Sequence, residues 1–104
     1  MQVNNYFTKI EKPGYVKVMD AQNNVTVVKF FSIISNNSRT VSVYLKPTDD
    51  KTYYPIVYRS TVDSTGLYLD SQLLEPGIEI YVEVSDYQDG DDITVVLQTV
   101  SLSS

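Results

Sequence analysis

The chain has 104 residues, 42% of them hydrophobic, with 8 basic and 13 acidic side chains and a formal charge of −5. It contains no cysteine, histidine or tryptophan, which excludes a disulfide framework, thiolate metal sites and the usual His- or Cys-based nucleophiles and bases. The basic residues are scattered one at a time, so the basic stripe of a nucleic-acid binder is missing, and no run approaches the ~20 apolar residues of a membrane helix.

Helical signals are nearly absent. Alanine occurs once, at Ala21, and no window carries an i, i+3, i+4, i+7 apolar stripe. Strand signals recur instead at the spacing of a sandwich or barrel. A first strand region spans Val3 to Ile10 and ends at Pro13-Gly14; residues 1–14 read as an N-terminal arm or an edge strand of a single domain covering 1–104. Tyr15 to Met19 forms a second strand, and Val25 to Ser35 a long third one stopped by Asn36-Asn37. If Phe31 and Ile33 face the core, so does Lys29, which predicts a bulge near Lys29.

A fourth strand, Arg39 to Lys46, alternates Val41, Val43 and Leu45 with Ser42 and Tyr44 before Pro47. The fifth, Tyr53 to Ser60, contains Pro55, which lacks a ladder donor and marks an edge strand or a later start. Gly66 to Asp70 is short. Glu75-Pro76-Gly77-Ile78 has the proline and glycine of a type II turn.

Ile78 to Ser85 shows the clearest pattern, with Ile78, Ile80, Val82 and Val84 alternating against Glu79, Tyr81, Glu83 and Ser85. Such a strand puts one side in a core and the other in solvent or against a partner. The last strand, Asp92 to Leu102, is apolar on both phases, the mark of a strand covered on both sides. Seven or eight antiparallel strands in about 100 residues predict an all-β antiparallel sandwich, immunoglobulin-like, with a small jelly roll as the alternative. Its expected core is Phe31, Ile33, Val41, Val43, Leu45, Leu67, Leu69, Ile80, Val82, Val95 and Leu97.

No catalytic or cofactor-binding residues emerge. Glu79 and Glu83 share a strand face but lie roughly 13 Å apart along it, wider than glycosidase carboxylate pairs. The loop Asp86 to Asp92 holds four carboxylates in seven residues. Turn chemistry accounts for them without a metal ion. The nine tyrosines are the remaining signal. Tyr44 and Tyr81 sit on the outward phase of alternating strands. If the fourth strand and the last two share a sheet, Tyr44, Tyr81, Val96 and Val100 form one apolar interface patch.

From Lys29 to Leu102 the order of elements resembles the small β-sandwich virion proteins of tailed bacteriophages. The resemblance is carried by Ser35-Asn36-Asn37, Val41 to Pro47, Ile56-Val57-Tyr58, Leu67-Tyr68-Leu69, Leu74 to Val82 and a final valine-rich strand. It implies a structural part of a head or tail, such as a capsid decoration or a tail or neck accessory, repeated by symmetry. Its partners would be identical subunits or other virion proteins, with neither nucleic acid nor membrane. The segment Met1 to Tyr6 has no signal-peptide character, in keeping with assembly in a bacterial cytoplasm. The competing expectation is a carbohydrate- or receptor-binding module that stacks its ligand on Tyr53, Tyr54 or Tyr87.

Overall fold

Alternation along β8 (Ile78–Val84) sets the pattern for the whole molecule: Ile80, Val82 and Val84 are fully buried, while Glu79, Tyr81 and Glu83 face outward. The computed structural model describes residues 1–102; residues 103 and 104 of the expected domain lie outside that description. Nine strands are present among the described residues: β1 (Gln2–Ile10), β2 (Tyr15–Met19), β3 (Thr26–Ser35), β4 (Arg39–Pro47), β5 (Tyr54–Val62), β6 (Leu67–Tyr68), β7 (Gln72–Leu74), β8 and β9 (Ile93–Ser101). They form two antiparallel sheets packed as a sandwich. The five-stranded sheet runs β1-β9-β3-β6, with β7 also on β3, and the four-stranded sheet runs β2-β8-β4-β5.

The pairings are nested: β1 with β9, β2 with β8, β3 with β6 and β7, and β4 with β5. A long antiparallel hairpin rolled into two sheets gives this order, and it is the jelly-roll arrangement. The immunoglobulin-like variant of the sandwich does not describe this connectivity. In immunoglobulin domains the last two strands are neighbours in one sheet, whereas β8 and β9 lie in different sheets. Alternation reports which side chains point inward but not which sheet a strand joins. The order of pairing is therefore not encoded in the alternation.

Register on β3 is controlled by one extra residue. Its pairing with β9 shifts between Val28 and Phe30, so Lys29 is the bulged residue and is exposed. Val28 and Phe31 thereby both reach the core, while Phe30 is turned outward. The expected type II turn is present, with Gly77 at φ 82°. Of the expected core, Leu45, Leu67 and Leu69 are only partly buried, and the other eight residues are fully inside. Ile10, Val18, Met19, Val28, Val62, Leu74, Val84 and Ile93 complete the core from strand ends and from β2. The short β7 was not anticipated. It continues the edge after a break at Leu69, whose N–H donates to Phe31 O at 3.1 Å.

Candidate functional site

The outward phase of the five-stranded sheet carries apolar side chains on each of its strands, with a polar Asn5–Gln98 pair between them. Because β9 lies between β1 and β3, the registers align side chains in rows across the sheet. One row reads Val3, Val100, Val27, Leu73, and another Phe7, Val96, Ser32, Tyr68. Between and beyond them run Asn5, Gln98, Phe30 and Lys9, Thr94, Ile34. Phe7 is 74% exposed and Leu73 71%, and Val3, Phe30, Ile34 and Tyr68 are also open to solvent. Large apolar side chains this exposed are unusual on a small domain.

Charge on this face is sparse and of one sign. Among the described residues Lys9 and the bulged Lys29 are the only ionic side chains on its strands, while Asp92 and Asp70 stand at its rim. Lys9 is further engaged at the rim, where its Nζ lies 3.1 Å from Asp92 Oδ1. An apolar area with few ionic groups loses little to desolvation when a complementary surface covers it.

The four residues expected to form one interface are divided between the two sheets. Val96 and Val100 lie on the apolar face, half-buried between the side chains of β1 and β3. Tyr44 and Tyr81 pair directly with each other on the outer side of the four-stranded sheet. The single patch therefore does not exist: β9 pairs with β1 and β3, not with the strands bearing the tyrosines. The expectation that β9 would be covered on both faces is likewise met only in part. One phase is core, and the other is bordered by neighbouring side chains.

Tyr44 and Tyr81 are covered by the chain's own loop. Tyr53, between β4 and β5, stacks on Tyr15 with ring centroids 3.9 Å apart and meets Tyr81 edge-on at 5.1 Å. Tyr44 is only 6% exposed, and its hydroxyl donates to Glu83 Oε1 at 3.0 Å. Tyr81 donates to Glu79 Oε1 at 3.2 Å, and Lys17 and Lys46 approach Glu79 from either side. Burial, with the adjacent carboxylates, raises the pKa of both phenols. The cluster is internally satisfied, which is the behaviour of a structural aromatic network.

The loop tyrosines are mostly occupied too. Tyr87 packs against the core, and Tyr54 is exposed but donates to Asp50 Oδ2 at 2.7 Å. The acidic loop serves as a brace. Asp91 accepts from Arg39 Nε at 2.6 Å and Nη2 at 2.9 Å, from Asn37 Nδ2 at 2.9 Å and from the Gln88 N–H at 2.9 Å. Asp86 accepts from the Thr40 N–H at 2.8 Å. Among the described residues no three acidic side chains converge as metal ligands would. A shallow groove of about 250 Å³ between β5 and β6 is lined by Ile56, Val57, Leu67, Tyr68, Leu69, Asp70 and Gln72. It adjoins the apolar face through Tyr68.

Sequence reasoning missed Val3, Phe7, Phe30, Tyr68 and Leu73. A signal was available in part. Val3 and Phe7 share a phase opposite Tyr6 and Ile10, and the doublets Phe30-Phe31 and Ile33-Ile34 require one member of each to face out. No protein-family model matches this chain, and none of the curated proteins compared with it is significantly similar.

Proposed function

We propose that this domain is a structural component of a tailed-bacteriophage virion, acting as a head decoration or a tail or neck accessory. It works by binding rather than by catalysis, and it docks through the outer face of the five-stranded sheet. The observation that carries the reading is that face: exposed Val3, Phe7, Phe30, Ile34, Tyr68 and Leu73 spread across β1, β3 and the β6–β7 edge, with no carboxylate on the strands themselves among the described residues. Two further points support it. Double-sheet jelly rolls recur in viral capsid proteins, an argument from fold analogy, and the order of motifs from Lys29 to Leu102 resembles that of phage virion proteins. The loop-tyrosine alternative is weaker, because Tyr53 is spent on Tyr15 and Tyr87 on the core.

The test uses phage particles that lack this protein. Purified wild-type chain should co-sediment with them, and the double variant Phe30→Lys, Leu73→Lys should remain folded by circular dichroism yet stay in the supernatant. Failure of the wild type to bind any such particle would overturn the virion reading. Equal binding by the double variant would move the docking surface off this face.

A further inference from the structure

A sandwich exposes four sheet edges, and three of these carry devices that discourage further pairing. On β5, Pro55 lacks a donor, Arg59 adopts φ 52° with its N–H turned to Ser42 Oγ at 2.9 Å, and the register to β4 shifts twice. β2 has only five residues and a register shift between Lys17 and Met19. The β6–β7 edge is broken into pieces of two and three residues. Charges, prolines, bulges and short edges are the standard means of preventing edge-to-edge association.

β1 has none of them. Its nine residues pair with β9 in one unbroken register from Gln2 to Ile10, without proline or bulge, and Lys9 is its only charge. Among the described residues its backbone has no partner other than β9. Half of its N–H and C=O groups therefore point away from the sheet in a straight row, ready to receive another strand.

We propose that the occupant of this edge is β1 of a second copy, paired antiparallel about a two-fold axis normal to the sheet. Such an axis keeps outward side chains on one side and demands that each residue meet its counterpart symmetrically. The sequence of β1 favours one register, centred on Asn5. Asn5 then faces Asn5, Val3 faces Phe7 twice on the outer side, and Asn4 faces Tyr6 twice on the inner side. On the outer side apolar meets apolar and amide meets amide, while on the inner side each Asn4 meets a Tyr6 ring. Lys9 falls opposite residue 1, at the end of the ladder and clear of the other copy's Lys9. Centring on Tyr6 instead would set Val3 against Lys9 and Phe7 against Asn5, a poorer match on both counts.

The consequence is an isologous dimer in which two five-stranded sheets become one continuous sheet and their apolar faces merge. This inference does not depend on what that face binds, because it concerns the backbone edge. Sedimentation equilibrium of the wild-type chain at tens of micromolar should give two chains per particle, and Asn5→Lys should give one, with an unchanged circular dichroism spectrum. The chain has no cysteine, so Asn5→Cys provides a clean register test. Its two thiols would sit on directly opposed residues, within disulfide range. Under mild oxidation Asn5→Cys should become a covalent dimer almost completely, while Val3→Cys should not, since the two Val3 positions are offset by roughly 13 Å along the ladder. A monomeric wild type, or equal cross-linking of Asn5→Cys and Val3→Cys, would overturn the proposal. The particle-binding result for Phe30→Lys, Leu73→Lys bears on the face alone.

Discussion

Ile33 and Ile34 are chemically identical neighbours whose loss should have very different effects. Ile33 is completely buried near the C-terminal end of β3, opposite Val95 on one side and Leu67 on the other. Ile34 points to the outer face beside Thr94 and is 41% exposed. Truncating Ile33 to alanine removes three buried carbons at about 0.8 kcal/mol each and leaves a partly relaxed cavity, together about 3–4 kcal/mol. At about 4–8 °C of Tm per kcal/mol for a domain of this size, Ile33→Ala should melt about 12–30 °C lower than wild type. Ile34→Ala, which gives up less buried area and leaves no cavity, should cost about 1 kcal/mol or less. Thermal and urea denaturation followed by circular dichroism would measure both, with equal m-values confirming that the same unfolding is compared. Comparable losses for the two variants would refute the register. A one-residue slip on β3 exchanges its faces, and the bulge at Lys29 is what prevents that slip.

Two more outcomes follow from the polar contacts. Arg39, with Asn37 and the Gln88 N–H, holds the Asp91 carboxyl well below its ordinary value of 3.8. Because the folded-state pKa is depressed, the stabilisation is present above pH ~4 and is lost as pH falls below it. Asp91→Asn should therefore lower Tm at pH 7, and the gap to wild type should close toward pH ~2 in a pH series of melting curves; a constant gap would assign Asp91 a role unrelated to its charge. For the stacked rings, a double-mutant cycle of Tyr15→Ala and Tyr53→Ala should give a coupling of about 0.5–1.5 kcal/mol, and additive losses would mean that the stack contributes no specific energy.

Much of the fold is legible because alternation is a local signal. The inward set on β4 and β8, the edge position of the strand with Pro55, the turn at Pro76-Gly77 and the bulge at Lys29 all follow from residues within a few positions of one another. Pairing is a non-local matter and leaves no such local mark. Nothing in Ile93 to Ser101 says that its neighbours are the first and third strands rather than the fourth and eighth. This pairing alone splits the expected interface, leaving Val96 and Val100 on one sheet and Tyr44 and Tyr81 on the other. The tyrosines look exposed in sequence because their phase is outward. They are shielded by Tyr53, a loop residue whose position depends on the fully folded sheet.

Nested pairing also determines where attached polypeptide emerges. Gln2 lies directly opposite Ser101, a Cα separation of about 4.5–5.5 Å in an antiparallel ladder. Any segment fused before the first strand and any segment fused after the last one leave from the same corner, side by side. A linker of only a few residues is long enough to join them, and the turn from Glu11 to Gly14, which follows Ile10 at the opposite tip, offers a place to reopen the chain. Tethered cargo would thus ride on one tip of the sandwich, leaving the opposite tip and both broad faces unencumbered.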